Sequence, residues 1–96
     1  MSALMIARIT PKDPGKLQEY MAKTKEIAAN FGAEMVHRAR ASRTLNGSDD
    51  HQIVVIARFP TLDALESWYD SDAYQPLKML RDDAADMHMT AYTVLD

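Results

Sequence analysis

Two short apolar runs, residues 3–9 and 52–59, constrain the fold most, because hydrophobic residues lie on both faces of each run. A strand with two apolar faces is typical of the interior of a sheet. Each run is followed by a turn signal with Pro and then by a helical pattern. The similar segments "IARITP" at 6–11 and "IARFPT" at 56–61 stand at these two exits and indicate a duplicated β-α-β unit.

Helix signals follow both runs. Asp13 can cap the first helix, and Pro14 suits its first position, where the N–H that proline lacks would be unpaired anyway. Apolar residues then recur every three to four positions until Gly32, a residue typical of helix ends. Thr61 can cap a second helix, and Asp-Ser-Asp at 70–72 predicts a break within it.

The remaining segments indicate two more strands. Residues 34–45 alternate between apolar and polar, with Met35 and His37 on the same apolar face. Residues 46–51 predict a hairpin loop, because Asn-Gly readily adopts positive φ. Residues 90–95 predict the last strand.

The resulting order, β-α-β-β-α-β, is that of the ferredoxin-like fold. We therefore predict one α+β domain over residues 1–96, with a four-stranded antiparallel sheet. Right-handed connections place the first and third strands in the centre. The two runs with apolar residues on both faces are the predicted central strands.

A second copy of the chain is expected on the sheet. The helices of this fold cover only one face, yet both faces of the central strands are apolar. One face carries Leu4, Ile6, Val54 and Ile56, and the other carries Met5, Ile9, Ile53, Val55 and Phe59. An exposed apolar patch of several hundred Å², roughly the size of that face, is typical of an interaction site. We expect a homodimer whose sheets pack face to face into a closed or nearly closed barrel.

Composition excludes several classes of partner and chemistry. The chain has no Cys, which removes disulfides and thiolate sites. A net charge of −3 without a basic block argues against nucleic acid. No apolar run approaches the ~20 residues that span a membrane. We expect a cytoplasmic protein without a membrane partner.

The segment "WYDSDAYQPLKMLRDDAAD", starting at Trp68, resembles the signature of a bacterial family numbered 1330 among domains of unknown function. "DPGKLQEY" and "VVIARFPTLDAL" resemble it too, so the likeness covers nearly the whole chain. The resemblance implies the dimeric α/β-barrel superfamily, whose members include cofactor-free monooxygenases and isomerase-like proteins. Arg58 stands where the family commonly has an acid, which would change any chemistry that needs that carboxylate.

Two arginines form the first candidate ligand site. The predicted register places Arg8 and Arg58 on one face, near the carboxyl ends of neighbouring strands taken as parallel. Two adjacent guanidinium groups there could bind a carboxylate or phosphate. The alternative is pairing with Asp13, Asp63 or an acid of the partner, or simple exposure at the strand ends.

The aromatic segment forms the second candidate site. Trp68 and Tyr69 fall on the buried face of the second helix, and Tyr74 and Arg81 align on one inward face after the break. A hydroxyl and a fixed cation could orient a carbonyl or carboxylate in an apolar pocket. The alternative is a core in which Arg81 binds free helix carbonyls or Asp70.

Histidines and acids give few further signals. His37, with Tyr74 and Arg81, is a catalytic candidate as a general base, although a satisfied core histidine is more common. Asp82, Asp86 and His88 could be read as a metal cluster at the end of the last helix. They lack a metal-ligand frame, so a solvated acidic face is favoured and no metal or other cofactor is predicted.

These patterns leave three functional hypotheses open. The first is a cofactor-independent enzyme, monooxygenase- or isomerase-like, acting on a small anionic or aromatic compound. The second is a non-catalytic small-molecule-binding or regulatory homodimer. The third is a dimer whose own side chains fill the pocket, which a cavity below ~100 Å³ would favour against the ~300 Å³ of typical ligand sites.

Overall fold

The computed structural model describes residues 2–95. The elements in chain order are β1 (Ala3–Pro11), α1 (Pro14–Ala29), β2 (Glu34–Arg40), β3 (Ile53–Phe59), α2 (Leu62–Asp70), α3 (Leu77–Ala84) and β4 (Ala85–Thr93). All four strands form one antiparallel sheet in the order β2-β3-β1-β4. This confirms the ferredoxin-like fold and the central position of the first and third strands. No helix among the described residues has the length and apolarity needed to cross a membrane.

The helix boundaries follow from the local signals in the sequence. The Asp13 carboxylate accepts a hydrogen bond from the backbone N–H of Lys16 at 3.1 Å, and thus caps α1. Past the end of α1, Gly32 adopts a φ of 83°, a conformation that disfavours a Cβ. The Thr61 hydroxyl accepts from the N–H of Ala64 at 3.0 Å and caps α2.

The two faces of the sheet carry the residues predicted for each. Odd-numbered residues of β1 and β3, such as Ile9, Val55 and Phe59, are buried beneath the helices. Ile6 and its partner Ile56 lie on the opposite face and are only partly buried. We call this second face the open face; it carries the even-numbered residues of β1, β3 and β4.

The predicted register of the second strand is wrong at its start. A β-bulge separates Met35, opposite Ala57, from His37, opposite Ile56. The extra residue places Met35 on the helix side and His37 on the open face. It also turns Arg38, opposite Val55, toward the helix side, although alternation had assigned it to the wet face.

The last strand begins at Ala85, five residues earlier than predicted. Met87 and Met89 alternate with Asp86 and His88, so the methionines face the helices and the polar side chains lie on the open face. The prediction that Asp86 and His88 belong to a helix end is therefore wrong.

The helices do not cover the sheet evenly. α2 packs against β1, β3 and β4, whereas α1 packs most closely on α3. The largest fully buried side chains are Trp68, Tyr20, Tyr74, Phe59 and Ile9. Space between α1 and the sheet is therefore filled by long side chains, and this is where the candidate site lies.

Candidate functional site

The break between α2 and α3 is stabilised by its own polar side chains. The Ser71 hydroxyl donates to the Trp68 carbonyl at 2.7 Å. The Gln75 amide donates to the carbonyls of Tyr69 and Ser71 at 3.0 and 3.1 Å. These bonds satisfy helix-end carbonyls. The alternative, a packed core, is confirmed in that Trp68 and Tyr74 are buried core residues. It is wrong in that Arg81 binds neither these carbonyls nor Asp70.

Arg81 instead binds phenol oxygens. Its Nη1 donates to the Tyr69 hydroxyl at 2.9 Å and to the Tyr74 hydroxyl at 3.4 Å. Its Nε donates to the Asp82 carboxylate at 3.0 Å, and the side chain is 15% exposed. Burial opposes the charge, but the hydrogen bonds to its oxygen partners outweigh burial and raise the pKa of Arg81. A permanent cation thus lies beside two tyrosines.

Tyr74 connects this cation to the interior. Its hydroxyl lies 2.7 Å from that of Tyr20, a residue of α1 that is 54 positions away in sequence. Both rings are buried and meet edge to face. Burial raises the pKa of both phenols, and the neighbouring Tyr74 raises that of Tyr20 further. Both tyrosines are therefore neutral hydrogen-bonding groups at physiological pH.

Tyr20 also lines an apolar cavity of about 50 Å³ between α1 and the sheet. Its walls include five of the chain's seven methionines: Met5, Met21, Met35, Met87 and Met89. Thr24 and Trp68 line it as well, and neither the Thr24 hydroxyl nor the Trp68 indole N–H has a hydrogen-bond partner of good geometry. The cavity is thus mainly apolar, and its methionine walls are flexible. The Thr24 hydroxyl and the Trp68 N–H are polar groups that could bind a ligand there.

Two open clefts adjoin this cavity. One, of about 380 Å³, lies between α2 and the β1–β4 edge and shares Met5, Trp68 and Met89 with the cavity. It is also lined by Tyr69, so two of the predicted ligand-binding residues belong to it. The other, of about 440 Å³, lies between α1 and the β2–β3 edge and is lined by the exposed Arg38 and Arg40 with apolar residues.

The predicted arginine pair is not formed. β1 and β3 run antiparallel, so Arg8 pairs with Val54 while Arg58 pairs with Leu4. The arginines share the open face, but four residues of strand place them about 13 Å apart at ~3.3 Å per residue. Arg8 binds Asp49 at 2.9 Å rather than Asp13 or Asp63. The prediction that these cations are neighbours near the carboxyl ends of parallel strands is wrong.

The structure also separates His37 from the cavity. It lies on the open face, opposite Ile56, with the whole sheet between its imidazole and Tyr20. His37 therefore cannot be a general base for a ligand bound beneath the helices. Trp68, Tyr69, Tyr74 and Arg81, in contrast, lie close together.

Sequence reasoning missed Tyr20 as a site residue. The helical stripe of α1 correctly predicted its burial, but a stripe does not show which residue meets a partner from another element. One available signal was its hydroxyl, because a buried Tyr needs a hydrogen-bond partner. The methionines of β4 were missed because that strand was predicted too short.

Comparison with known proteins assigns the chain to a family. A family model described as a domain of unknown function, DUF1330, matches residues 2–94. The chain belongs to the DUF1330 family. No curated protein matches the sequence.

Solved structures share the fold at low sequence identity. A protein of unknown function from Rhodopseudomonas palustris has a TM-score of 0.82 at 16% identity, covering 99% of this chain and 83% of that one. SnoaB, a cofactor-independent oxygenase from Streptomyces nogalater, has a TM-score of 0.70 at 15% identity, covering 99% and 94%. A dimeric ferredoxin-like protein of unknown function from Jannaschia sp. CCS1 has a TM-score of 0.67 at 13% identity, covering 98% and 100%.

Proposed function

We propose that the chain is a cofactor-independent enzyme that binds a small, largely apolar compound beneath its helices. Tyr20 donates a hydrogen bond to a carbonyl or phenolic oxygen of that compound and stabilises negative charge developing there. Oxygenation or isomerisation of an enolate or phenolate fits this role. The observation that carries the proposal is the hydrogen-bond chain from Arg81 through Tyr74 to Tyr20, which ends at an apolar cavity.

In the proposed arrangement Tyr74 donates to Tyr20, although the 2.7 Å contact between their hydroxyls fits either direction. Arg81 has no acceptor, so the Tyr74 oxygen accepts its N–H and the Tyr74 proton is free to point at Tyr20. The Tyr20 proton must then find another acceptor. The Met89 sulfur, 4.0 Å away, is a weak one, and the Thr24 hydroxyl, one turn further along α1, is the other polar neighbour. Hydrogen bonds in a chain polarise one another, so the charge of Arg81 makes the Tyr20 hydroxyl a stronger hydrogen-bond donor.

Charge stabilisation, rather than proton abstraction, is the role that this chemistry supports. Burial raises the pKa of Tyr20, so its phenol stays protonated at neutral pH. No carboxylate or imidazole lines the cavity within residues 2–95. The substrate must therefore lose its proton readily, as an acidic phenol or enol does. The oxygenase SnoaB, which shares the fold, is described as cofactor-independent.

The cavity must open for any compound larger than a few atoms. At about 50 Å³ the closed cavity is below the ~100 Å³ limit given above and far below the ~300 Å³ of typical ligand sites. In this conformation it favours a pocket filled by the protein's own side chains. The walls that it shares with the adjoining clefts include Met5, Met21 and Met89. Unbranched thioether side chains change rotamer easily, so their movement would join the cavity to a cleft.

We also propose that the chain is a homodimer through the open face. Leu4, Ile6, Val54 and Ile56 form the partly buried apolar centre of that face. Covering several hundred Å² would stabilise the dimer by several kcal/mol at about 25 cal/mol per Å². Related structures include proteins described as dimeric. Ile56→Asp should give monomers in sedimentation at micromolar concentration. Met79→Asp is the control, because Met79 lies on the exposed surface of α3, and it should remain dimeric. A monomeric wild type refutes the proposal.

The ligand role of Tyr20 can be tested with phenol and toluene, which differ mainly in the hydroxyl. The single Trp68 gives one indole N–H resonance, and that group lines the cavity without a partner. Titrations followed by this resonance give a ratio of dissociation constants for the two compounds. In Tyr20→Phe the preference for phenol should fall about 5- to 10-fold, the value of one hydrogen bond.

Tyr92→Phe is the matched control, because Tyr92 lies on the open face, across the sheet from the cavity, and should leave the ratio unchanged. An unchanged ratio in Tyr20→Phe would show that its hydroxyl does not contact the ligand. Failure of both compounds to shift the resonance up to their solubility limits would exclude an accessible cavity. That result would favour a core filled by its own side chains.

A non-catalytic binding homodimer is the second candidate. No carboxylate or imidazole lines the cavity in the described part of the chain, which supports this candidate, because binding needs only the donor. Native mass spectrometry of freshly purified protein would identify a retained compound. Conversion of that compound in air, lost in Tyr20→Phe, supports the enzyme; recovery of it unchanged supports the binding protein.

A further inference from the structure

Three potential metal ligands meet at one end of the open face, away from the cavity. They are His51, which precedes β3, and Asp86 and His88 of β4. One ligand atom of each lies within 4.8 Å of the others. His88 Nε2 is 3.8 Å from Asp86 Oδ1, and the two imidazole rings have centroids 4.6 Å apart. We call these three residues the His-Asp-His cluster.

The fold itself assembles the cluster. Alternation along β4 places Asp86 and His88 on the same face, opposite Thr10 and Arg8 of β1. The segment before β3 reaches the same place because the Gln52 N–H donates to the Ile9 carbonyl at 3.0 Å. The side chains of Asp86 and His88 are 64% and 60% exposed. The cluster lies at the Arg8–Thr10 end of β1, beyond the apolar centre of the open face. An ion can therefore reach it in the single chain, and from the rim of the interface in the proposed dimer.

A hydrogen bond to one imidazole prepares it for coordination. The Thr10 hydroxyl lies 3.2 Å from His51 Nδ1 and 3.4 Å from the Asp50 carbonyl, to which it can donate. Its oxygen then accepts from Nδ1–H, and Nε2 of His51 keeps its lone pair for a metal. Metal-binding histidines are held in this way by an acceptor on the second nitrogen.

Nearby charges permit a cation. Arg8 faces His88 across the strands, but its guanidinium is paired with Asp49 at 2.9 Å. Asp49 also accepts the backbone N–H of His51 at 3.0 Å. The His51 N–H, and to a smaller extent the contacts with Arg8, hold the pKa of Asp49 below its usual value. Asp49 therefore offsets the charge of Arg8 and fixes the loop that carries His51.

We propose that the His-Asp-His cluster binds a divalent transition-metal ion such as Zn²⁺, with water in the remaining positions. Two imidazoles and one carboxylate are ligands that suit Zn²⁺, Ni²⁺ and Cu²⁺. Atoms bound at ~2.1 Å from one ion lie within about 4.2 Å of each other. The 3.8 Å pair already meets this limit, and small side-chain rotations bring in the third ligand.

The test is a Zn²⁺ titration of the metal-free protein in competition with a chromogenic chelator. We expect one ion per chain. His51→Ala, His88→Ala and Asp86→Asn should each weaken binding by at least about tenfold, since even outer-shell partners change metal affinity by 10–100-fold. His37→Ala is the matched control, because the chain's third histidine lies elsewhere on the open face and should leave binding unchanged.

Acidification gives a second measure. Imidazole binds a metal only when neutral, so Zn²⁺ affinity should fall on acidification. Unchanged emission of Trp68 would show that each variant folds. Absence of Zn²⁺ binding by the wild type, or equal weakening in His37→Ala, overturns the proposal. Binding that survives all three cluster variants places the ion elsewhere and overturns it too.

Discussion

The hydrogen bond between Tyr20 and Tyr74 should appear as an energetic coupling between their hydroxyls. Tyr20→Phe leaves Tyr74 with the Arg81 N–H and a weak sulfur acceptor, Met89 at 3.7 Å, and should cost about 1 kcal/mol. Tyr74→Phe leaves the Tyr20 hydroxyl buried without its main partner and removes one acceptor from Arg81. Its cost should be about 2 kcal/mol.

The double variant should cost less than the sum of the two. Removing both hydroxyls leaves neither one unpaired, so the expected loss is about 2 kcal/mol rather than about 3. The coupling energy is then about 1 kcal/mol. Urea unfolding followed by Trp68 emission measures it, and protein concentration must be fixed, because association shifts apparent stability. Tyr92→Phe removes a hydroxyl on the open face, on the other side of the sheet, and should not couple to either variant.

Additive costs, within about 0.5 kcal/mol, would refute the hydrogen-bond chain. The two rings would then contribute by packing alone. Tyr20 could not receive any polarisation from the cation, and the proposed role of its hydroxyl would lose its basis.

Three further predictions concern pH and the backbone. Burial raises the folded-state pKa of Tyr20 and Tyr74, so their contribution to stability is complete below pH ~10. Above that pH it declines by up to ~1.4 kcal/mol per pH unit for each tyrosine. Between pH 9 and 11 the urea midpoint should therefore fall less in the Tyr20→Phe/Tyr74→Phe variant than in the wild type. Gly32→Ala should cost more than Gly47→Ala, because both have positive φ but only the first Cβ would meet Pro60, at 3.0 Å; equal melting temperatures would contradict this. Thr61→Ala should cost about 1 kcal/mol through loss of the Ala64 cap, and Thr61→Ser should restore it in the same unfolding assay.

Local signals predicted the parts of the fold that local chemistry controls. The caps at Asp13 and Thr61, the turn at Gly32 and the break after Asp70 lie where the sequence indicated them. The two strands with apolar residues on both faces are central, as predicted. The start of β4 at Ala85 could have been read from its alternation, which a helical interpretation obscured.

The candidate site depended on information that no single segment carries. Tyr20 and Tyr74 are 54 residues apart, and only the packing of α1 on α3 brings their hydroxyls together. Antiparallel pairing separated Arg8 from Arg58. In such a pair, residues near the end of one strand lie opposite residues near the start of the other, so the two arginines lie at opposite ends. One bulge residue sent Met35 and His37 to opposite faces.

The sequence by itself determined the order of elements, their caps, the central strands and the apolar character of both faces of the sheet. Each of these follows from the spacing of residues within one short segment. The tertiary structure decided which polar groups meet: the chain from Arg81 to Tyr20, and the cluster of His51, Asp86 and His88. Such contacts depend on strand register and helix packing, in which a shift of one residue moves a side chain to the other face.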